Sequence, residues 1–437
     1  MAADLNIKRN GGYVVRAVLS GILLLLAAAG LIFLLTRLIP GRILLWIAGG
    51  VLLALLLLIA GVWFFCPFDP ERALREQGDG VLDELDRKLL RMALSEHVDQ
   101  QELDAFLADW DIEAAPIKSV LLVAYLMKTR PELHFPAAIT PRLTGVLSFC
   151  RYQNLKREAH FCKLGTALRE RSIPFLILKG GAMKVYRPDF PRWMSDIDVL
   201  VPAADYDRAT RTALDLGYGD PMPTDHSMDL RLPGSDEGLL DIHKHLEMFT
   251  GKEEALNDGL FARAMDRRLF SIQGLLPCPE DMVFIALVNL YKNLAKNQTQ
   301  ESSLTTFFDL KYLISLKEDF NTEIVLEDAR VSGGAFEVLF ASKLAESVVP
   351  GLFPAGWMGK MEIPGKAFKK HFIDYLFKRD VLARSRDAFA GTKVGAAAQK
   401  DWSLPVFMWV ALVAAVKKIS GWAPLQYAIW RLRRSFR

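Results

Sequence analysis

Hydrophobic positions are distributed unevenly along this chain. Residues 17–36 and 43–68 carry no charged side chain, and each run is as long as the roughly 20 helical residues needed to cross a hydrocarbon layer about 30 Å thick, or longer. Arg37-Leu38-Ile39-Pro40-Gly41-Arg42 lies between them; Pro and Gly break a helix, and so short a link leaves the two runs antiparallel. The first run is long for the apolar part of a signal peptide, and no small-x-small cleavage site follows it. Residues 1–70 therefore read as an uncleaved transmembrane helical hairpin. Lys8, Arg9, Arg16, Arg72 and Arg75 flank the hairpin, against Arg37 and Arg42 in its loop. That asymmetry predicts a cell-membrane protein with two spanning helices and everything after residue 70 in the cytoplasm.

Beyond residue 70 the pattern becomes that of a globular chain. Short amphipathic helices, such as the stripe Leu82, Leu85, Leu89 and Leu90, predict a helical adaptor over 71–140. Pro141 opens a long helical pattern reaching Arg171. Phe175-Leu176-Ile177-Leu178 then reads as a buried strand, and a helix begins at Lys179-Gly180-Gly181. Asp196 to Val201 alternates polar and apolar residues as a strand, closed by Pro202; Ala203 to Leu216 reads as a helix stopped by Gly217. Two more strands are predicted at 227–232 and 239–246, joined by Pro233-Gly234-Ser235. From Pro277-Cys278-Pro279 onward the pattern is helical.

The predicted fold is α+β: an αβ core with a small mixed sheet over 141–275, flanked by helical segments at 71–140 and 276–437. Pro405 to Val416 is apolar but too short to span a bilayer. With the basic end Arg431, Arg433, Arg434 and Arg437, the stretch 405–437 suits either a membrane-interface segment or a packed helix with a solvated tail.

Composition narrows the possibilities. Of 437 residues 51% are hydrophobic, and the excess sits in the first 70. A net charge of +3, with no interleaving of basic and aromatic residues, gives no reason to expect a nucleic-acid partner. Cys66, Cys150, Cys162 and Cys278 form no C-x-x-C pair, which fits a reduced compartment and excludes a cysteine zinc site.

The chemistry concentrates in three places. Asp196 and Asp198 share one strand face while Ile197 and Val199 point the other way. Two adjacent carboxylates repel each other, and a hard divalent cation supplies the missing attraction. Gly180 and Gly181 stand where backbone N–H groups at a helix start can approach a phosphate. Asp241, in Leu239-Leu240-Asp241-Ile242-His243, comes beside the aspartate pair if its strand joins theirs. Each feature alone is ordinary; their order along the chain is not. His243 and His245 alternate with Asp241, so an Asp-x-His-x-His array, with His226 nearby, is a second metal-binding arrangement. Asp309 is a charge inside an apolar run and needs a partner. Lys292 and Lys296, at i and i+4, share a helix face.

Leu178-Lys179-Gly180-Gly181, Ser195-Asp196-Ile197-Asp198-Val199-Leu200-Val201 and Leu240-Asp241-Ile242-His243 together resemble the polymerase-β-type nucleotidyltransferase superfamily, in its branch of largely uncharacterised nucleotidyltransferases. The resemblance covers roughly 150–315. Fourteen residues separate Gly181 from Asp196, slightly more than is usual in that superfamily, and Asn289 stands where a histidine is expected. The resemblance implies a two-metal mechanism in which Asp196, Asp198 and Asp241 are catalytic and bind Mg²⁺, or Mn²⁺, with Asp241 on the second ion and helping to deprotonate the acceptor hydroxyl. It makes Lys179, Gly180, Gly181 and Arg192 nucleotide-binding candidates, with Lys292 and Lys296 reaching from the helical segment. A nucleoside triphosphate is the implied donor. The acceptor stays open among small molecule, lipid headgroup, sugar and protein, and the lipid bilayer is a further partner. Two other readings compete: a metal-dependent hydrolase built on Asp241, His243 and His245, and a non-catalytic nucleotide-binding membrane scaffold. The absence of G-x-x-x-x-G-K-[ST] excludes P-loop chemistry.

Overall fold

A computed structural model describes residues 81–224, 226–233, 239–246, 253–295 and 300–360, with isolated positions on either side. The predicted hairpin, apart from Gly50, Leu53 and Ala54, lies outside the described residues, as do 405–437 and Lys296. Among the described residues no helix is long and apolar enough to cross a membrane. Glu71–Pro364 forms one compact unit, and it contains all the elements below.

Four helices come first: α1 (Glu84–Leu94), α2 (Gln100–Asp109), α3 (Ile117–Thr129) and α4 (Thr140–Glu170). Asp83 and Asp99 cap α1 and α2 through side-chain oxygens that accept backbone N–H groups, meeting donors that a helix start otherwise leaves unpaired. α3 is apolar on nearly every side and correspondingly buried. It lies against α4 and against the later helix α9 (Gln300–Ser315). Ser119 of α3 donates to buried Asp86 of α1 at 2.6 Å, which satisfies the polar atoms the packing encloses.

The core is a seven-stranded mixed sheet in the order β3-β4-β5-β2-β1-β7-β6. Its strands are β1 (Leu176–Ile177), β2 (Asp196–Leu200), β3 (Gly219–Pro223), β4 (Ser227–Arg231), β5 (Leu239–His243), β6 (Met265–Leu269) and β7 (Ile272–Leu276). The β2/β5 and β1/β7 pairs are parallel and the others antiparallel. Helix α5 (Lys179–Tyr186) links β1 to β2, and α6 (Tyr206–Asp215) follows β2. The sequence pattern anticipates β1, β2, β4 and β5 but not β3, β6 or β7. The reason is visible at the edges: β3 carries Pro221 and Pro223, which suit only an edge strand, and β6 is largely exposed. Ile197, Val199, Leu240 and Ile242 are all buried on the face of β2 and β5 opposite the acids. α4 packs on β2 and β7, and α6 on β5, closing that apolar layer.

A helical layer follows the sheet. α7 (Glu253–Arg263) precedes β6, and α8 (Pro279–Ala295) is buried around most of its circumference against α9, α10 (Thr322–Ser332) and α11 (Ala335–Val348). Arg263 at the end of α7 donates to Asp281 and Asp328. Burial and then the neighbouring Asp281 push the Asp328 carboxyl up to about 7, because one guanidinium cannot fully compensate two enclosed acids.

Candidate active site

Strand alternation and register build the site. β2 and β5 run parallel with Asp198 opposite Asp241 and Leu200 opposite His243. β4 runs antiparallel beyond β5 and sets Asp229 opposite Asp241 and Ser227 opposite His243. Three carboxylates thus stand in a row across neighbouring strands, on the face away from Ile197 and Val199. Asp196 sits two residues earlier on β2, half-buried, and Ser195 Oγ donates to it at 3.1 Å.

Lys179 and His243 bond to the row. Lys179 Nζ donates to Asp198 Oδ1, and His243 Nε2 lies 3.0 Å from Asp198 Oδ1 and 3.0 Å from Asp241 Oδ2. Burial disfavours charge on Asp198, but Lys179 and then His243 outweigh it and hold the carboxyl well below its usual range. Asp241 is likewise lowered: burial opposes ionisation, and the hydrogen bond from His243 overcomes it. His243 moves up, since its bonds to Asp198 and Asp241 prevail over burial. At Asp196 repulsion from Asp198, with burial behind it, outweighs Lys179 and the Ser195 hydrogen bond and pushes the carboxyl up to about 6. Asp229 is raised by burial and then by Asp241.

Lys179 reaches Asp198 because of where its backbone lies. It begins α5 one residue after β1, with φ at +44°, a left-handed conformation that costs a residue with a Cβ about 1–2 kcal/mol. Gly181 follows inside the helix, where a Cβ would come within 2.6 Å of Ile177 Cδ1. A Cβ on Gly180 would meet nothing closer than Met194 at 3.5 Å. Gly181 thus allows the helix to sit down on the strand, and Gly180 leaves the helix start open toward the loop that bears Arg192 and Met194.

Arg192 takes a different position from the other predicted residues. Its guanidinium pairs with Asp309 of α9, so the charge inside the apolar run has its partner there. Asn154 of α4 donates to the Arg192 carbonyl at 2.6 Å. Lys292 lies in the last turn of α8, and Asn289 in its middle.

Sequence reasoning passed over Asp229. The signal was available: β4 was anticipated as a strand joined to β5 by a short turn, and alternation puts Asp229 on the same face as Ser227. The histidines form a second row, with the His226 ring 5.7 Å from His243 and 6.4 Å from His245.

A divalent cation suits this donor set. Among the described residues, one oxygen or nitrogen each from Asp198, Asp241 and His243 lie within 4.8 Å of one another. Among the described residues the buried Asp241 Oδ1 has no hydrogen-bond partner, and a metal ion would satisfy it. Carboxylate-rich donors favour a hard ion. His245, whose Nδ1 faces its neighbour's carbonyl, Leu246 O, at 3.2 Å, is not in that group.

A glycine-led helix over a mixed sheet, facing carboxylates on paired strands, defines a nucleotidyltransferase. A family model for uncharacterised nucleotidyltransferases matches residues 116–350, more than half of the 437 residues, and the chain belongs to that family. No curated protein matches the chain. It is similar in structure to the antibiotic-resistance factor ANT(2'')-Ia in solution, at 15% identity over 44% of this chain and 91% of that one, with a TM-score of 0.25. The crystal structure of ANT(2'')-Ia with adenylyl-2''-tobramycin gives 15% identity, 44% and 97% coverage and a TM-score of 0.24. An antigenic nucleotidyltransferase-like protein from Paracoccidioides brasiliensis gives 15%, 42%, 90% and 0.27.

Proposed function

We propose that this enzyme transfers a nucleoside monophosphate from a nucleoside triphosphate to an acceptor hydroxyl at the row of carboxylates on β2 and β5. The observation that carries this reading is the register of Asp198 against Asp241, with His243 within 3.0 Å of both. The acceptor oxygen attacks the α-phosphorus, a new P–O bond forms, the bond to the leaving pyrophosphate breaks, and the hydroxyl proton passes to Asp241. His243, 3.0 Å from Asp241 Oδ2, holds the orientation of the carboxylate that receives it. Lys179 adds positive charge at the end of the site where the helix start meets phosphate. Asp198 and Asp241, with Asp196 beside them, would hold Mg²⁺ or Mn²⁺, which when bound supplies charge neutralisation for the triphosphate and polarises the acceptor.

The uncharged runs at 17–36 and 43–68 support a membrane-anchored enzyme with its catalytic unit in the cytoplasm. The hydrolase reading has less support, since the close group pairs His243 with two carboxylates and leaves out His245.

Transfer of label from nucleoside triphosphates into a membrane extract, with Mg²⁺ and the full chain, tests the function. Asp198→Asn and Asp241→Asn should each lower transfer by roughly three orders of magnitude, and the double variant should be little worse. Asp241→Asn should still bind the triphosphate. Undiminished transfer by folded Asp198→Asn would end the reading.

A further inference from the structure

Arg263, the last residue of α7, bonds two enclosed acids on two other helices. Its Nε donates to Asp281 Oδ1 of α8 at 3.0 Å, and its Nη2 donates to the same oxygen at 2.7 Å and to Asp328 Oδ1 of α10 at 2.6 Å. Asp281 is 0% exposed and Asp328 2%. All three bonds fall on Oδ1 atoms. The Oδ2 atoms of both acids are buried too, and among the described residues neither meets a hydrogen-bond partner. A lone buried acceptor is costly, and here two stand in one cluster.

Asp281 and Asp328 also lie within hydrogen-bond reach of each other, yet two ionised carboxylates have nothing to donate. One guanidinium leaves one negative charge over, deep in a packed joint. The groups around the pair do not offset it. Cys278 keeps its thiol neutral, pushed up to about 12 by burial and then by Asp281. Burial also raises the Tyr186 phenol, which donates to the Pro277 carbonyl at 2.5 Å. Glu280 is engaged by Lys317 at 2.9 Å, and Arg330 of α10 by Glu327 at 3.1 Å. A single proton on one carboxyl answers both needs: it donates to the other acid's free oxygen and removes the surplus charge. Asp281 lies in the first turn of α8, where a helix favours negative charge, which puts the proton on Asp328.

We propose that Asp281 and Asp328 share one proton, and that this O–H···O bond latches the end of α7 to α8 and α10, closing when the proton is held and loosening when it is released to solvent. The latch reaches the row of carboxylates through α7 itself. Asn257 of that helix donates to the Lys244 carbonyl at 2.7 Å, one residue past His243. The pH range follows from Asp328, whose carboxyl stands at about 7 in the fold against an ordinary 3.8. The folded chain binds the extra proton between those values, so the stabilisation is complete below 3.8 and is lost as pH rises through about 7. The latch is independent of what the site transfers.

Amide hydrogen exchange, followed by mass spectrometry on the full chain in detergent with a chelator present, tests it. Peptides from the end of α7 and from α10 are compared at about pH 6 and about pH 8, on either side of the Asp328 value. Asp328→Asn imitates the protonated acid at every pH, since its amide can donate to Asp281 while its carbonyl accepts from Arg263. Asp281→Asn neutralises the pair from the other side, and carries the comparison if the first variant does not fold. At the lower pH native and variant peptides should be equally protected. At the higher pH the native peptides should exchange roughly tenfold faster than those of the variant. Equal protection of native and variant at the higher pH would overturn the latch. So would a variant less protected than the native chain at the lower pH, or the failure of both variants to fold.

Discussion

Lys179 and Asp198 form an ion pair between the first residue of α5 and the middle of β2. The lysine accepts a left-handed backbone to make it, so a glycine at this position would relax the chain while a cation there holds the carboxylate. The pair therefore ties the glycine-led helix start to the acids by charge as well as by packing.

Replacing Lys179 by Met keeps the length of the side chain and removes the charge. Transfer should fall about a hundredfold or more, and the Asp198 carboxyl should titrate higher than in the native protein, which carbon-detected NMR of the side-chain carboxyls would read. Lys179→Arg should recover part of the rate.

Asp196 gives a pH signature. Its folded value, about 6, lies above the unfolded 3.8, so the folded protein binds more protons between those two values. Stability from this group is greatest below 3.8 and declines as pH rises through about 6. His243 acts in the same sense: stability from its contacts is present below its ordinary value and is lost as pH rises through the raised one. Metal-free Asp196→Asn should therefore melt above the native protein near neutral pH, with the gap closing at acid pH. Melting curves across pH provide the check.

The two glycines should separate cleanly. Gly181→Ala drives a Cβ toward Ile177 and should cost about 1–3 kcal/mol in denaturant unfolding. Gly180→Ala meets only ordinary contacts and should leave stability within about 0.5 kcal/mol. Ile177→Val should recover part of the Gly181→Ala loss.

Arg187, just past α5, stands among four rings: its guanidinium carbon is 4.4 Å from Phe308, 4.6 Å from Tyr312, 5.0 Å from Tyr125 and 5.2 Å from Phe190. Arg187→Ala should lose about 2 kcal/mol or more. Arg187→Lys should recover little, because an ammonium lacks the flat face that stacks on rings. Chemical unfolding of both variants measures the difference.

Much of the candidate site was legible because period-two alternation is a local property. Asp196, Asp198 and Asp241 lie where reading β2 and β5 as strands requires. Which strands become neighbours is not local, and that decided the rest. The parallel pairing of β2 with β5 set Asp198 opposite Asp241, and the antiparallel return of β4 brought in Asp229. β3 and β6 gave no apolar signal because each has an edge to solvent. Arg192 looked like a phosphate ligand from its nearness to Asp196 in sequence, but nothing in the sequence indicated that Asp309 on a distant helix would engage it.

The Arg192 junction also bears on how the enzyme comes into being. Its carbonyl is held by a residue 38 positions earlier and its guanidinium by one 117 positions later. The loop that delivers β2 is therefore finished only after α4 and α9 have both arrived. Contacts of such long sequence separation form late, so a nascent chain that has emerged only as far as β7 holds Asp196, Asp198, Asp229 and Asp241 and still lacks the partner of the Arg192 guanidinium. Activity on refolding should therefore appear with the docking of α9 rather than with the sheet.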